Sequence, residues 1–208
     1  MATTLTADRT TRQMAFLLAV VALITLGMEF YAEWLEEGDA ATVPIVVWKM
    51  VRYFTILANL IVLLLSAFVA ASGRWPGASL PAGTTVWILA TGAVYHALLA
   101  ATHNPQGIEI YSNIGLHTIV PLGCFALWVT RAPREPLAGY APFLWTIFPL
   151  LYAIYAITRG NYDGTYPYFF LNPDKSSIAL IAGYIVGLGI FFLGAGWLLL
   201  RAPKFGQA

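Results

Sequence analysis

The sequence predicts an all-α polytopic integral membrane protein, one domain over residues 1–208 built as a bundle of six transmembrane helices with both termini cytoplasmic. Three observations predict it. Of the 208 residues, 59% are hydrophobic and only 10% are charged, whereas a soluble domain carries about a quarter charged residues. The mean hydropathy is +0.72. Six apolar runs each reach the roughly 20 residues that a bilayer-spanning helix needs, and none alternates in segments of about ten as transmembrane β-strands do. A net charge of +1 offers no basic patch for DNA or RNA. A single cysteine, Cys124, excludes a disulfide framework and a cysteine-based zinc site.

In chain order the runs are 13–34, 44–71, 83–102, 110–130, 139–158 and 177–200. The first follows Arg9 and Arg12 as a signal peptide would. It ends in Glu29-Phe30-Tyr31-Ala32-Glu33-Trp34 with no small-residue cleavage site, so it reads as a retained helix. Connectors 72–77 and 131–136 carry Gly, Pro and charge, which suits turns at a membrane surface. With a cytoplasmic N-terminus, the cytoplasmic segments hold Arg9, Arg12, Arg74, Arg131, Arg134, Arg201 and Lys204, against Arg159 and Lys175 in the opposite loops. This positive-inside bias sets the expected orientation, and Glu36, Glu37, Asp39, Glu109, Asp163 and Asp174 make the outer face acidic.

Polar side chains within a bilayer are costly and mark function. Counted at about 1.5 Å per residue, Glu29, Arg52, Thr55, Asn59, His96, Asn113 and His117 fall at one depth in the outer half, joined by Tyr152, Tyr155 and Arg159. On the second run, Lys49, Arg52, Thr55, Asn59 and Ser66 form one stripe at helical spacing, facing protein. On the fourth, Pro121 follows His117 by four positions and removes the amide that the His117 carbonyl would accept, so a bend is expected there. Thr55 becomes a nucleophile only if a base such as His117 reaches its hydroxyl. His96 and His103 share a face of the third run. The segment 166–171, rich in Tyr and Phe, reads as an aromatic belt or a lid, and Gly183, Gly187 and Gly194 as sites of close packing on the last helix.

Three segments together resemble the androgen-induced membrane hydrolase family. These are Trp48-Lys49-Met50-Val51-Arg52-Tyr53-Phe54-Thr55-Ile56-Leu57, Asn113-Ile114-Gly115-Leu116-His117-Thr118-Ile119-Val120-Pro121, and the stretch from Leu151 through Tyr166-Pro167-Tyr168-Phe169-Phe170-Leu171. The resemblance implies an intramembrane lipid esterase that hydrolyses fatty acid esters of hydroxy fatty acids. It implies Thr55 as nucleophile, His117 as base, and no metal or cofactor. Arg52, Asn59, Asn113 or a freed backbone amide are candidates for oxyanion or ring support. Glu29, His96, Tyr152, Tyr155 and Arg159 are pocket candidates. The expected partners are a lipid ester or its fatty acid product and membrane lipids, and the expected location is a bacterial inner membrane. Two other readings compete: a haem- or metal-binding protein using His96 and His117, and a small-solute channel or carrier lined by Glu29, Arg52 and Arg159.

Overall fold

The computed structural model describes residues 5–133 and 135–202; Arg134 and Lys204, two of the basic residues used for orientation, lie outside them. Six helices are long and apolar enough to cross a membrane. Among the described residues there is no strand beyond an isolated bridge between Thr6 and Arg74. The helices are α1 (Arg9–Glu37), α2 (Val43–Met50), α3 (Phe54–Ser72), α4 (Ser79–Val94), α5 (Glu109–Ile114), α6 (Val120–Arg131), α7 (Ala141–Asp163) and α8 (Ile178–Arg201). A π turn over Tyr95–Leu99 prolongs α4, and another over Gly115–Ile119 joins α5 to α6 as one crossing.

Asp8 caps α1 by accepting from the Thr11 amide at 2.7 Å, and Ser177 caps α8 by accepting from Leu180 at 3.3 Å. Both satisfy amides that a helix start leaves without partners. α1 packs along α3, while α4 contacts α3, α6, α7 and α8. More than half of the apolar stretch of α4 is buried (56%) against 11% for α8, so α4 is the central post and α8 the periphery. Gly183, Gly187 and Gly194 correct the packing expectation: a Cβ at any of them meets nothing within 4 Å. The close approach is at Gly196, where a Cβ would come within 2.8 Å of Pro142.

The second run is not one helix, as its unbroken apolar character suggested. It breaks at Val51–Arg52–Tyr53 into α2 and α3, with Tyr53 extended (φ −95°, ψ 133°). A broken helix inside a membrane protein is tolerated where protein re-satisfies the freed carbonyls, and α7 supplies the donors. The Tyr155 hydroxyl donates to the Val51 carbonyl at 3.2 Å, and that of Tyr152 to the Arg52 carbonyl at 2.8 Å. Arg159 donates to the Trp48 carbonyl and lies 3.9 Å from the Trp48 ring centre. The stripe from Lys49 to Ser66 is therefore two short faces. Lys49 leaves it altogether, pairing with Glu33 and Glu37 of α1 at 3.3 and 2.5 Å.

Candidate active site

The break places Thr55 in the first turn of α3, where chemistry differs from that of a mid-helix threonine. Thr25, Thr85, Thr91, Thr130 and Thr146 all spend their hydroxyls on the carbonyl four residues earlier. For Thr55 that carbonyl belongs to Val51, before the helix, and Tyr155 already donates to it. Its hydroxyl points across the bundle instead, and Thr55 Oγ1 lies 3.3 Å from His117 Nε2. The amides of Phe54 and Thr55 precede the first helical bonds, which run from Ile56 and Leu57 to the Tyr53 carbonyl at 3.2 and 3.3 Å. They point outward from the positive end of the helix dipole, an arrangement that favours negative charge.

His117 Nδ1 is 3.1 Å from the Asn113 carbonyl oxygen. A carbonyl only accepts, so Nδ1 carries the proton and Nε2 is left with its lone pair towards Thr55. The expected bend before Pro121 takes the form of the π turn Gly115–Ile119, and such turns often mark functional sites. Gly92 of α4 makes this turn possible, because a Cβ there would lie 2.6 Å from the His117 carbonyl oxygen. Gly92→Ala is expected to displace His117 from Thr55, because the added methyl meets the backbone of the π turn. The imidazole resonances of His117 in a folded variant check it, and an unchanged His117 environment contradicts it.

Several neighbours hold the pair. Asn59, fully buried, donates to the Thr55 carbonyl at 2.8 Å and to the Leu116 carbonyl at 3.2 Å, tying α3 to the π turn. Tyr95 stacks on the His117 ring at 3.8 Å and 17°. Its hydroxyl accepts from the Asn113 amide at 2.7 Å and lies 3.2 Å from His103 Nδ1, while His103 Nε2 lies 3.0 Å from Glu109 Oε1. A neutral His103 that donates to Glu109 accepts from Tyr95, which gives one continuous chain from Asn113 to Glu109. From the loop, the Tyr168 phenol approaches the Thr55 and Tyr152 hydroxyls and the Phe54 amide; burial raises its pKa, so it keeps its proton at neutral pH.

Two cavities meet at Thr55. One, of about 330 Å³, contains Thr55, His117, Tyr95 and Tyr168 together with Glu29, Glu33, His103 and Glu109. The other is an apolar groove between α4, α7 and α8, lined by Phe54, Val94, Pro149, Ala153, Leu188 and Phe192. Thr55, Tyr95, Leu99 and Tyr168 line both. The segment 166–171 is thus a cover rather than a belt: Tyr168 closes over Thr55 and stacks on Phe170 at 5.0 Å.

Several expected residues act elsewhere. Arg52, a candidate oxyanion donor, forms a two-pronged pair with Asp163 at 2.9 Å on each arm and donates to the Thr165 carbonyl, pinning the loop after α7. Arg159 lies within α7 rather than in a loop and joins Asp163 at 3.4 Å. Tyr155 and Arg159 cap the helix break and line neither cavity, whereas Tyr152 caps it and lines the groove. His96 shares the depth of His117 but is exposed and engages Thr118 at 3.0 Å, so the two imidazoles serve different partners. No group of three or more His, Cys, Asp or Glu side chains suited to a metal ion occurs among the described residues. Asn113 orients the His117 ring through its carbonyl, not its side chain. Glu29 does line the polar cavity, accepting from Ser112 at 2.5 Å. Tyr95 was missed, because a tyrosine inside an apolar run reads as core.

No family model, curated protein or solved structure matches the chain.

Proposed function

We propose that this chain is an intramembrane lipid esterase of the threonine and histidine type, hydrolysing fatty acid esters through an acyl-threonine intermediate, as its resemblance to the androgen-induced membrane hydrolases implies. The observation that carries the reading is the 3.3 Å approach of Thr55 Oγ1 to an unprotonated His117 Nε2 where a polar and an apolar cavity meet. An ester carbonyl at that junction has its acyl chain in the groove and its other arm in the polar cavity.

His117 Nε2 takes the hydroxyl proton as Thr55 Oγ1 attacks the ester carbonyl carbon, and the carbonyl electron pair moves onto oxygen. The Thr55 amide in the first turn of α3 and the Tyr168 phenol are the nearest donors for that oxyanion, a role typically worth about 3–4 kcal/mol. Collapse expels the alcohol oxygen, which takes the proton from Nε2 and leaves acyl-threonine. Water then gives a proton to Nε2 and attacks the acyl carbon; the second collapse releases the acid and returns a proton to Thr55. Throughout, the Asn113 carbonyl holds Nδ1–H and steadies the imidazolium.

The site lies at the start of α3, the end of the bundle opposite the start of α1, whose Arg12 reaches the Ala70 carbonyl at the far end of α3. The positive-inside bias of the sequence favours cytoplasmic termini; with that orientation water reaches Thr55 from the outer face, and a bacterial inner membrane suits this arrangement. Purified protein in lipid nanodiscs is expected to release free acid from long-chain esters. Absence of turnover across esters of graded chain length sinks the proposal.

A further inference from the structure

An open groove of about 830 Å³ lies away from Thr55, between the first half of α1 and the last turns of α3. Arg9 and Arg12 stand at its mouth, and Leu23 and Leu63 at its deep end. Counted at about 1.5 Å per residue, Gln13 to Leu23 covers about 15 Å, half the roughly 30 Å hydrocarbon thickness of a bilayer. Its floor is shallow because the side chains are small: Ala19 comes from α1, and Ala67, Ala70 and Ala71 from α3. The mouth is held in place. Arg12 Nε donates to the Ala70 carbonyl at 3.0 Å and Nη2 to the Ala71 carbonyl at 3.5 Å, two of the last four carbonyls of α3, which have no helical amide to accept from. Those carbonyls fix the guanidinium at the rim without a countercharge. Neither Arg9 nor Arg12 enters an ion pair among the described residues. Asp8, the nearest carboxylate in sequence, accepts from the Thr11 amide and pairs with Arg131 instead.

We propose that this groove binds an anionic phospholipid, with its phosphate against Arg9 and Arg12 and one acyl chain laid along the alanine floor towards Leu23. Charge and length decide the occupant together. A planar guanidinium matches phosphate oxygens, and basic recesses between transmembrane helices hold anionic headgroups. An apolar floor one leaflet deep takes the chain that such a headgroup carries, whereas a zwitterionic lipid brings its own cation to a mouth that already holds two. The site is independent of the esterase reading, because Arg12 meets the end of α3 opposite to the one that carries Thr55.

The test incubates the purified full chain in detergent micelles with equal amounts of phosphatidylglycerol and phosphatidylcholine of the same acyl chains, and reads the retained lipid by native mass spectrometry. Phosphatidylglycerol is expected to be retained over phosphatidylcholine by a factor on the order of ten, since each arginine near the headgroup adds to the attraction. Arg9→Gln lowers that preference several-fold. Ala67 is exposed on the groove side of α3, so Ala67→Trp fills the floor without entering the core and removes the retained lipid. If Ala67→Trp fails to fold, Arg9→Gln decides alone. Equal retention of the two lipids overturns the proposal. Undiminished preference for phosphatidylglycerol in Arg9→Gln places the lipid elsewhere and overturns it as well. A lipid-free dimer that Ala67→Trp breaks assigns the groove to a second copy of the chain, with the same consequence.

Discussion

Under the proposed function, Thr55→Ala and His117→Ala are each expected to lower the kcat of ester turnover by a factor on the order of 10⁴ or more, as when one member of a nucleophile–base unit is removed. The reason is local. Thr55 is the hydroxyl released from helix back-bonding by the break at Val51–Tyr53, and His117 is the base whose free nitrogen faces it. The double variant loses no more than either single one, because residues that act as a unit are non-additive. Thr55→Ser keeps part of the rate, since it preserves the oxygen. Thr55 is half-buried, so its alanine variant unfolds within a few degrees of the native protein, whereas His117→Ala also leaves Tyr95 unstacked. A turnover assay paired with thermal unfolding checks both statements. Full activity in either variant refutes the assignment.

The second large effect is on stability. Asp163→Ala leaves Arg52 and Arg159 facing each other with side chains only 9% and 3% exposed, and stranding buried charge in this way costs about 3–5 kcal/mol. The loss also frees the Thr165 end of the loop that carries Tyr168. The expected result is a strongly lowered thermal midpoint. Adding Arg52→Met to Asp163→Ala recovers part of that loss, because one of the two stranded cations is gone. A midpoint unchanged in Asp163→Ala shows instead that water solvates the two guanidinium groups.

The six crossings were legible because each needs only an apolar run of sufficient length, and the runs match the observed helices closely except for the second, which runs across the break between α2 and α3. The junction of Thr55 and His117 was half legible. Residue counts along a helix give depth, and depth aligned the two, but they give no direction around the bundle. His96 shows the difference: at the same depth, and within the π turn Tyr95–Leu99, it faces Thr118. The break after α2 was hidden because residues 44–71 stay apolar throughout, and what stabilises it are three side chains of α7 about a hundred positions away. Pro121 announced the irregular turn at His117, since a missing amide is a local property. Pro149 removes an amide in the same way on α7, where the Trp145 carbonyl four residues earlier accepts from the Trp87 indole at 2.7 Å. Gly92 carried no signal, because the backbone oxygen it admits comes from another crossing.

The most direct measurement is to treat the purified protein with a covalent serine/threonine-hydrolase reagent bearing a long alkyl chain and to map the adduct by peptide mass spectrometry. The account predicts a single adduct on Thr55, absent in His117→Ala. An adduct on any other hydroxyl, or labelling of Thr55 that survives loss of His117, contradicts it.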